Sequence, residues 1–161
     1  MLAGCYRHQY CAGCEVRPAA RVGERETGMA GIEQRTFASP DEVRIFAKGR
    51  LELVKFNRGV VGRLTLEPGW RWSEHVRHIA GTELCEASHF QYHVSGRICL
   101  LMRDGTRMEV GPGEVTALDA GHDAWVVGEE AVVLIDWAGI VNYAKNQVPV
   151  SAAVRQSSQP E

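Results

Sequence analysis

Apolar and polar residues alternate from about residue 50 almost to residue 137. Because successive side chains of a strand point to opposite faces, a period of two indicates strands that are buried on one face. Turn residues such as Asn57–Gly59 and Asp104–Gly105 interrupt the alternation at the spacing typical of short antiparallel strands. The pattern predicts strands at residues 51–56, 60–67, 87–94, 97–103, 106–110, 115–118, 124–127 and 131–137.

Short strands separated by turns predict an all-β sandwich or barrel and do not suit alternating β-α units. One short helix is predicted over residues 39–46. Ser39 can cap its start, Pro40 suits its first position, and the acidic pair that follows suits the positive end of the helix dipole. Residues 31–145 are therefore expected to form one β-rich domain.

The two ends of the chain lack this pattern. Residues 1–30 are rich in Arg, Gly, Ala and Glu and are interpreted as a flexible leader, within which Met29 offers a natural alternative start. A lone Cys-x-x-Cys in this leader could join Cys5 and His8 in a zinc site, but free thiols on a flexible segment are the favoured interpretation. Residues 146–161 are polar and are expected to be a flexible tail.

Composition narrows the class of protein. The chain has 161 residues, of which 24% are charged, and its net charge is -2. That balance favours neither nucleic acid nor an anionic membrane surface as a partner. No apolar run approaches the roughly 18–20 residues that span a bilayer. An odd number of cysteines and no secretory signal favour reduced thiols in the cytoplasm. The cysteines are Cys5, Cys11, Cys14, Cys85 and Cys99.

Histidines concentrate in one stretch, because four of the six lie between His75 and His93. In extended geometry one strand face would carry a cysteine, an amide and two histidines. Imidazole and thiolate are the ligands that zinc prefers, and imidazole also suits iron, copper and nickel. Each of these residues alone could be a satisfied polar residue of the core, but together they predict a polar, metal-capable pocket. That face comprises Cys85, Ala87, His89, Gln91 and His93.

The stretch Gly69–Gly96 resembles the first of the two motifs of the cupin superfamily. Five residues separate Gly69 from His75, as between the first glycine and the first histidine of the family pattern. His89 stands where the family has a glutamate, seven positions before Gly96. Cys85, four positions before His89, falls where the second histidine is expected. The resemblance implies His75, Cys85 and His89 as metal ligands.

A second stretch resembles the other cupin motif. Five residues separate Gly113 from Asp119–Gly121, in which an aspartate replaces the family's proline. The position where the family has its last histidine is Ala124, and His122 precedes it by two residues. The resemblance implies His122 as a fourth metal ligand. The alternatives are that His122 lines the pocket mouth or hydrogen-bonds Asp123.

The resemblance covers about residues 40–145 and implies a single-domain cupin, which is a double-stranded β-helix or jelly-roll barrel. It implies a homodimer, a divalent metal and a small-molecule ligand in a pocket lined by Trp72, Gln91 and His93. The cysteine favours zinc, with iron or nickel as alternatives. The implied function is a metal-dependent enzyme of dioxygenase, isomerase or lyase type acting on a small oxygenated metabolite. The alternative is a non-catalytic module that binds a small ligand or senses a metal.

Overall fold

The computed structural model describes residues 31–145. The predicted leader and tail, with the lone Cys-x-x-Cys, Cys5 and Met29, lie outside the described residues. All the described strands and helices belong to one compact unit that begins at Glu33. No helix of the described part is long and apolar enough to cross a membrane.

The described part of this unit contains nine strands and two single-turn helices. They are β1 (Glu42–Phe46), β2 (Gly49–Phe56), β3 (Gly59–Leu66), α1 (Trp72–His75), α2 (Arg77–Ala80), β4 (His89–Ser95), β5 (Arg97–Met102), β6 (Arg107–Val110), β7 (Val115–Leu118), β8 (His122–Val127) and β9 (Val132–Asp136). The prediction of an all-β fold is confirmed, and each predicted strand overlaps an observed one.

The strands form two antiparallel sheets that enclose the core. One sheet has six strands in the order β1-β2-β3-β9-β4-β7, and the other has three in the order β6-β5-β8. The first places β9, the last of the described strands, between β3 and β4, so strands far apart in sequence become neighbours. The inward faces carry aliphatic side chains for most of their length. The most deeply buried of these include Leu51, Leu53, Leu66, Val110, Val132 and Leu134.

The prediction of a helix over residues 39–46 is wrong. Residues Glu42–Phe46 form β1, which pairs along its whole length with β2. An isolated helix of eight residues is marginal in water, whereas strand pairing satisfies the same backbone groups and buries Phe46. The side chains alternate accordingly, since Val43 and Ile45 are exposed while Arg44 points inward with its side chain 9% exposed.

The segment between β3 and β4 closes one end of the barrel. It contains α1 and α2, where the sequence predicted only a loop, and it buries Trp70, Trp72 and Val76. The segment then returns to the body of the fold at Cys85, which forms an isolated antiparallel bridge with His122 at the start of β8. The bridge brings a residue of the long connection next to a residue of the three-stranded sheet.

Candidate metal site

Three buried side chains converge between the two sheets. Cys85 arrives by its bridge to β8, His89 is the first residue of β4, and His122 is the first residue of β8. One potential ligand atom of each side chain lies within 4.8 Å of those of the other two. All three residues are at most 5% exposed. Two imidazoles and one thiol are thus held together in the interior.

The imidazole of His89 is oriented by a carboxylate. Its Nδ1 lies 2.5 Å from Oδ2 of Asp136, the last residue of β9, and its Nε2 lies 3.5 Å from Sγ of Cys85. Because the carboxylate accepts, Nδ1–H donates and Nε2 is turned towards the sulfur. The Gln91 amide donates to the same carboxylate oxygen at 3.1 Å. Asp136 therefore fixes the ring of His89 with Nε2 as its ligand atom.

His122 is oriented in the same way by the main chain. Its Nδ1 lies 2.8 Å from the carbonyl oxygen of Asp119, which can only accept, so Nδ1–H is the donor. Nε2 is then the ring atom left for a ligand. The rings of His122 and His89 meet edge to face, with centroids 5.4 Å apart. Both imidazoles consequently present Nε2 to a common point.

The charges of the cluster follow from its hydrogen bonds. Burial disfavours the Cys85 thiolate, but hydrogen bonds from His122 and His89 and their positive charge outweigh it, and the pKa of Cys85 falls to about 6. Burial likewise disfavours an imidazolium at His89, but hydrogen bonds to Asp136 and Cys85 raise the pKa of His89 to about 9. At neutral pH the metal-free site holds a thiolate beside an imidazolium.

Two cavities adjoin the cluster. A cavity of about 310 Å³ lies on the side of Cys85, and its walls include Trp72, Val76, Ala87 and Tyr143. A much smaller interior space of about 20 Å³ is lined by residues of both sheets, including His89 and His122. Trp72 and Tyr143 line both. The larger cavity is of a size that admits a small molecule next to the sulfur.

The structure separates His75 from the other three predicted ligands. His75 lies at the end of α1, half-buried, and its Nδ1 contacts the backbone of Arg71 one turn earlier. The cause is local, because residues 72–80 form two single-turn helices instead of running as a strand into the barrel. His122, which is two positions from the family's expected ligand, is the histidine that joins Cys85 and His89.

The remaining predicted pocket residues occupy different places. Trp72 lines both cavities, and Gln91 lines the smaller one. His93 is 1% exposed further along β4, where its Nε2 lies 3.1 Å from the hydroxyl of Thr116. Burial lowers the pKa of His93, which keeps its ring neutral. The Asp123 carboxylate is not hydrogen-bonded to His122, because it accepts from Arg71 and Ser73 instead.

Two residues of the site were not found by sequence reasoning. Asp136 is fully buried and supports His89, and a carboxylate at the end of an apolar strand could have signalled a buried partner. Tyr143 is 6% exposed, and its ring lies 5.8 Å from that of His89. Burial, with the nearby charges of Cys85 and Asp136, raises the pKa of Tyr143 well above its usual value.

Comparison with known proteins yields a fold and no closer relationship. No family model matches the chain, and no curated protein matches it either. Among solved structures, a protein of unknown function from Rhizobium leguminosarum bv. viciae 3841 is similar with a TM-score of 0.51 at 18% identity. The match covers 68% of this chain and 97% of that one.

Two further solved structures have lower scores. The polyketide cyclase RemF from Streptomyces resistomycificus has a TM-score of 0.48 at 16% identity, over 66% of this chain and 78% of that one. An RmlC-like cupin from Shewanella frigidimarina NCIMB 400 has a TM-score of 0.47 at 16% identity, over 67% and 92% of the two chains. The protein shares an all-β fold with the Rhizobium protein. Within that fold it carries a buried Cys/His/His cluster.

Proposed function

We propose that the protein binds a divalent metal ion, zinc first among the candidates, through Cys85, His89 and His122. The observation that carries the proposal is the convergence of these three ligand atoms in the interior. One thiolate and two imidazoles are a donor set that zinc prefers and that iron and nickel also accept. Three protein ligands leave a coordination position for a small molecule or water.

The hydrogen bonds around the cluster support a metal rather than a chance grouping. Imidazole ligands of metal sites commonly donate their second ring nitrogen to a carboxylate or a carbonyl oxygen, and both histidines do so here. A bound cation would also stabilise the Cys85 thiolate, which burial disfavours.

We further propose that the site acts on a small oxygenated metabolite that enters the cavity of about 310 Å³ beside Cys85. A bound metal would supply Lewis acidity at that point. The chain's own residues orient and enclose the ligand. Trp72 and Val76 exclude water on one wall, and Asp136 holds His89 with Nε2 towards the site. The reaction would belong to a class that needs substrate coordination, such as dioxygenation, isomerisation or lyase chemistry.

Cobalt titration tests the metal site. Co²⁺ added to the metal-free protein should give one equivalent of binding and an intense near-ultraviolet band from thiolate-to-cobalt charge transfer. Cys85→Ala should abolish the band, and His89→Ala should weaken binding. Cys99→Ala and His78→Ala are the matched controls, since Cys99 is buried elsewhere and His78 is exposed outside the cluster. A wild-type protein that binds no metal, or a Cys85→Ala variant that keeps the band, would refute the assignment.

Turnover assays separate an enzyme from a binding module. The metal-loaded protein would be incubated with a panel of small hydroxy acids, keto acids and diketones, with oxygen uptake and product formation measured. Conversion that is lost in His122→Ala and kept in His78→Ala supports the enzyme. Tight binding of one compound without conversion would identify the alternative, a ligand-binding or metal-sensing module, and would overturn the enzymatic part of the proposal.

A further inference from the structure

Tyr143 is a buried hydrogen-bond donor without a partner among the described residues. Its side chain is 6% exposed and packs edge to face on Phe46 and on His89, with ring centroids 6.2 and 5.8 Å away. Its ring lines the cavity of about 310 Å³ together with Cys85. Within residues 31–145 the phenol hydroxyl makes no hydrogen bond, whereas His89, Gln91 and His122 are paired.

The hydroxyl is available to a ligand in the cavity that Tyr143 lines. A tyrosine hydroxyl, whose ordinary pKa is about 10, is protonated at neutral pH and donates as well as accepts. Phenylalanine would fill the same space between Phe46 and His89 but would offer no donor to the cavity.

The segment that carries Tyr143 is anchored to the sheets at several points. The guanidinium of Arg44 in β1 donates to the carbonyl oxygens of Ile140, Val141 and Tyr143. Ile140 is 1% exposed and packs over Gly62 of β3, where an added Cβ would lie 2.5 Å from its Cγ1. The position of the hydroxyl is thus set by two strands, as precise ligand binding requires.

The segment that carries Tyr143 also packs closely against the residue that precedes β4. Gly139 has a φ of 75°, and a Cβ there would lie 2.2 Å from the carbonyl oxygen of Ser88. Only glycine tolerates both the left-handed backbone and so close an approach. Residue 88 directly precedes His89, so the cavity wall that bears Tyr143 is held beside a residue of the cluster.

We propose that Tyr143 is the residue that recognises the ligand's oxygen: its hydroxyl donates a hydrogen bond to a carboxylate, carbonyl or enolate oxygen of a small molecule seated in the cavity beside Cys85. The inference rests on the proposed metal site, since the same oxygen would be positioned by both. It assigns the substrate class, which is a small organic acid or a carbonyl compound. The acceptor oxygen lies at the end of the molecule that enters the cavity first.

Ligand binding to the cobalt-substituted protein tests this inference. Acetate offers acceptor oxygens, whereas imidazole occupies a coordination position without any oxygen, and either can be titrated through the visible spectrum of Co²⁺. Tyr143→Phe should weaken acetate binding about tenfold, as expected for a hydrogen bond to a charged acceptor. Imidazole binding and the affinity for Co²⁺ should stay within about twofold of wild type.

The control is Tyr92→Phe, which removes a hydroxyl from an exposed tyrosine on the outer face of β4. It should leave both ligands unaffected. Equal acetate affinity in Tyr143→Phe and wild type would overturn the role of Tyr143 while leaving the metal site intact. Parallel loss of acetate and imidazole binding would show a structural role and would also overturn it. A wild-type protein that takes up no cobalt refutes the metal site instead, which the same titration reveals at its first step.

Discussion

Asp136 is a fully buried carboxylate at the end of an apolar strand, and its two oxygens are both used. Oδ2 accepts from His89 and Gln91, and Oδ1 accepts from the backbone N–H of Ala138. The residue thus connects the cluster to the turn that leads towards Tyr143. A buried carboxylate is tolerated only with such partners, so its role is to hold the His89 ring in one orientation.

Replacing Asp136 with asparagine should lower the affinity for Zn²⁺ by roughly 10–100-fold. The amide has no charge to support the Nδ1–H of His89, so the ring loses both orientation and basicity. The measurement is competition for Zn²⁺ with a chromogenic chelator. Asp123→Asn is the control, because Asp123 is also a buried carboxylate but binds Arg71 and Ser73 instead. Unchanged affinity in Asp136→Asn would show that the carboxylate does not support a ligand.

The protonation of the metal-free cluster should be visible in the ultraviolet. The pKa of Cys85 is lowered to about 6 and the pKa of His89 is raised to about 9, so the thiolate–imidazolium pair is populated between those values. Thiolate absorbance at 240 nm, taken as the difference between wild type and Cys85→Ser, should rise as the pH passes about 6. In His89→Gln the pKa of Cys85 should move towards 9.0, its ordinary value. A thiol that titrates near 9 in wild type would contradict the assigned hydrogen bonds.

At the scale of the elements, β4 shows how far alternation in the sequence is informative. The inward positions His89, Gln91 and His93 and the outward positions Phe90 and Tyr92 follow directly from a period of two. What alternation does not contain is the register between strands. Asp136 of β9 lies directly opposite Gln91, and only that pairing brings its carboxylate to His89.

The wrong prediction at residues 39–46 has the same origin. Ser39 and Pro40 are good local signals for a helix start, but the segment is paired with β2, and that long-range contact outweighs local preference. His75 is a related case. Its spacing from Gly69 suits the cupin motif, yet the chain coils at α1 and carries the imidazole to the backbone of Arg71. The spacing of a motif predicts a ligand position only if the backbone has the conformation that the motif has in other proteins.

The contact between β3 and the segment after β9 can be tested by a double-mutant cycle. Gly62→Ala should destabilise the protein by about 1–3 kcal/mol, because its Cβ would overlap Cγ1 of Ile140. In an Ile140→Ala background the same change should cost much less, since the opposing atom is gone. Urea unfolding of the four proteins gives the coupling energy. Equal costs in both backgrounds would mean that Ile140 does not pack on Gly62.

At the scale of the whole molecule, the six-stranded sheet has an outer face that is apolar along β4 and β7. Its outward residues there carry no charge, and several large ones are half-exposed. Those residues are Phe90 at 49%, Tyr92 at 39%, Val94 at 46% and Val115 at 58%, with Trp137 beside Phe90 at 49%. An uncharged face of this kind meets a second copy of itself without like-charge repulsion, which suits a symmetric pair.

The homodimer that the sequence suggested remains a prediction, and we propose this face as its interface. Phe90→Lys combined with Val115→Lys places like charges in the patch and should shift the protein to monomer in sedimentation equilibrium. Ile45→Glu, at an exposed apolar residue of β1, is the control and should leave the assembly unchanged. A wild-type monomer at all concentrations, or a dimer in the double variant, would contradict the proposal.

The three clustered residues come from separate layers of the fold. His89 belongs to the six-stranded sheet, His122 to the three-stranded sheet, and Cys85 to the connection that closes one end. An ion bound to all three would therefore join the two sheets and the connection at one point, in addition to the backbone bridge between Cys85 and His122. At a free concentration one hundred times its Kd, it would add about 2.7 kcal/mol to the free energy of unfolding. The lifetime of the folded protein in a cell would then depend on the concentration of that ion. When the ion is scarce, less folded protein would be present, and when the ion is plentiful, the folded protein would persist.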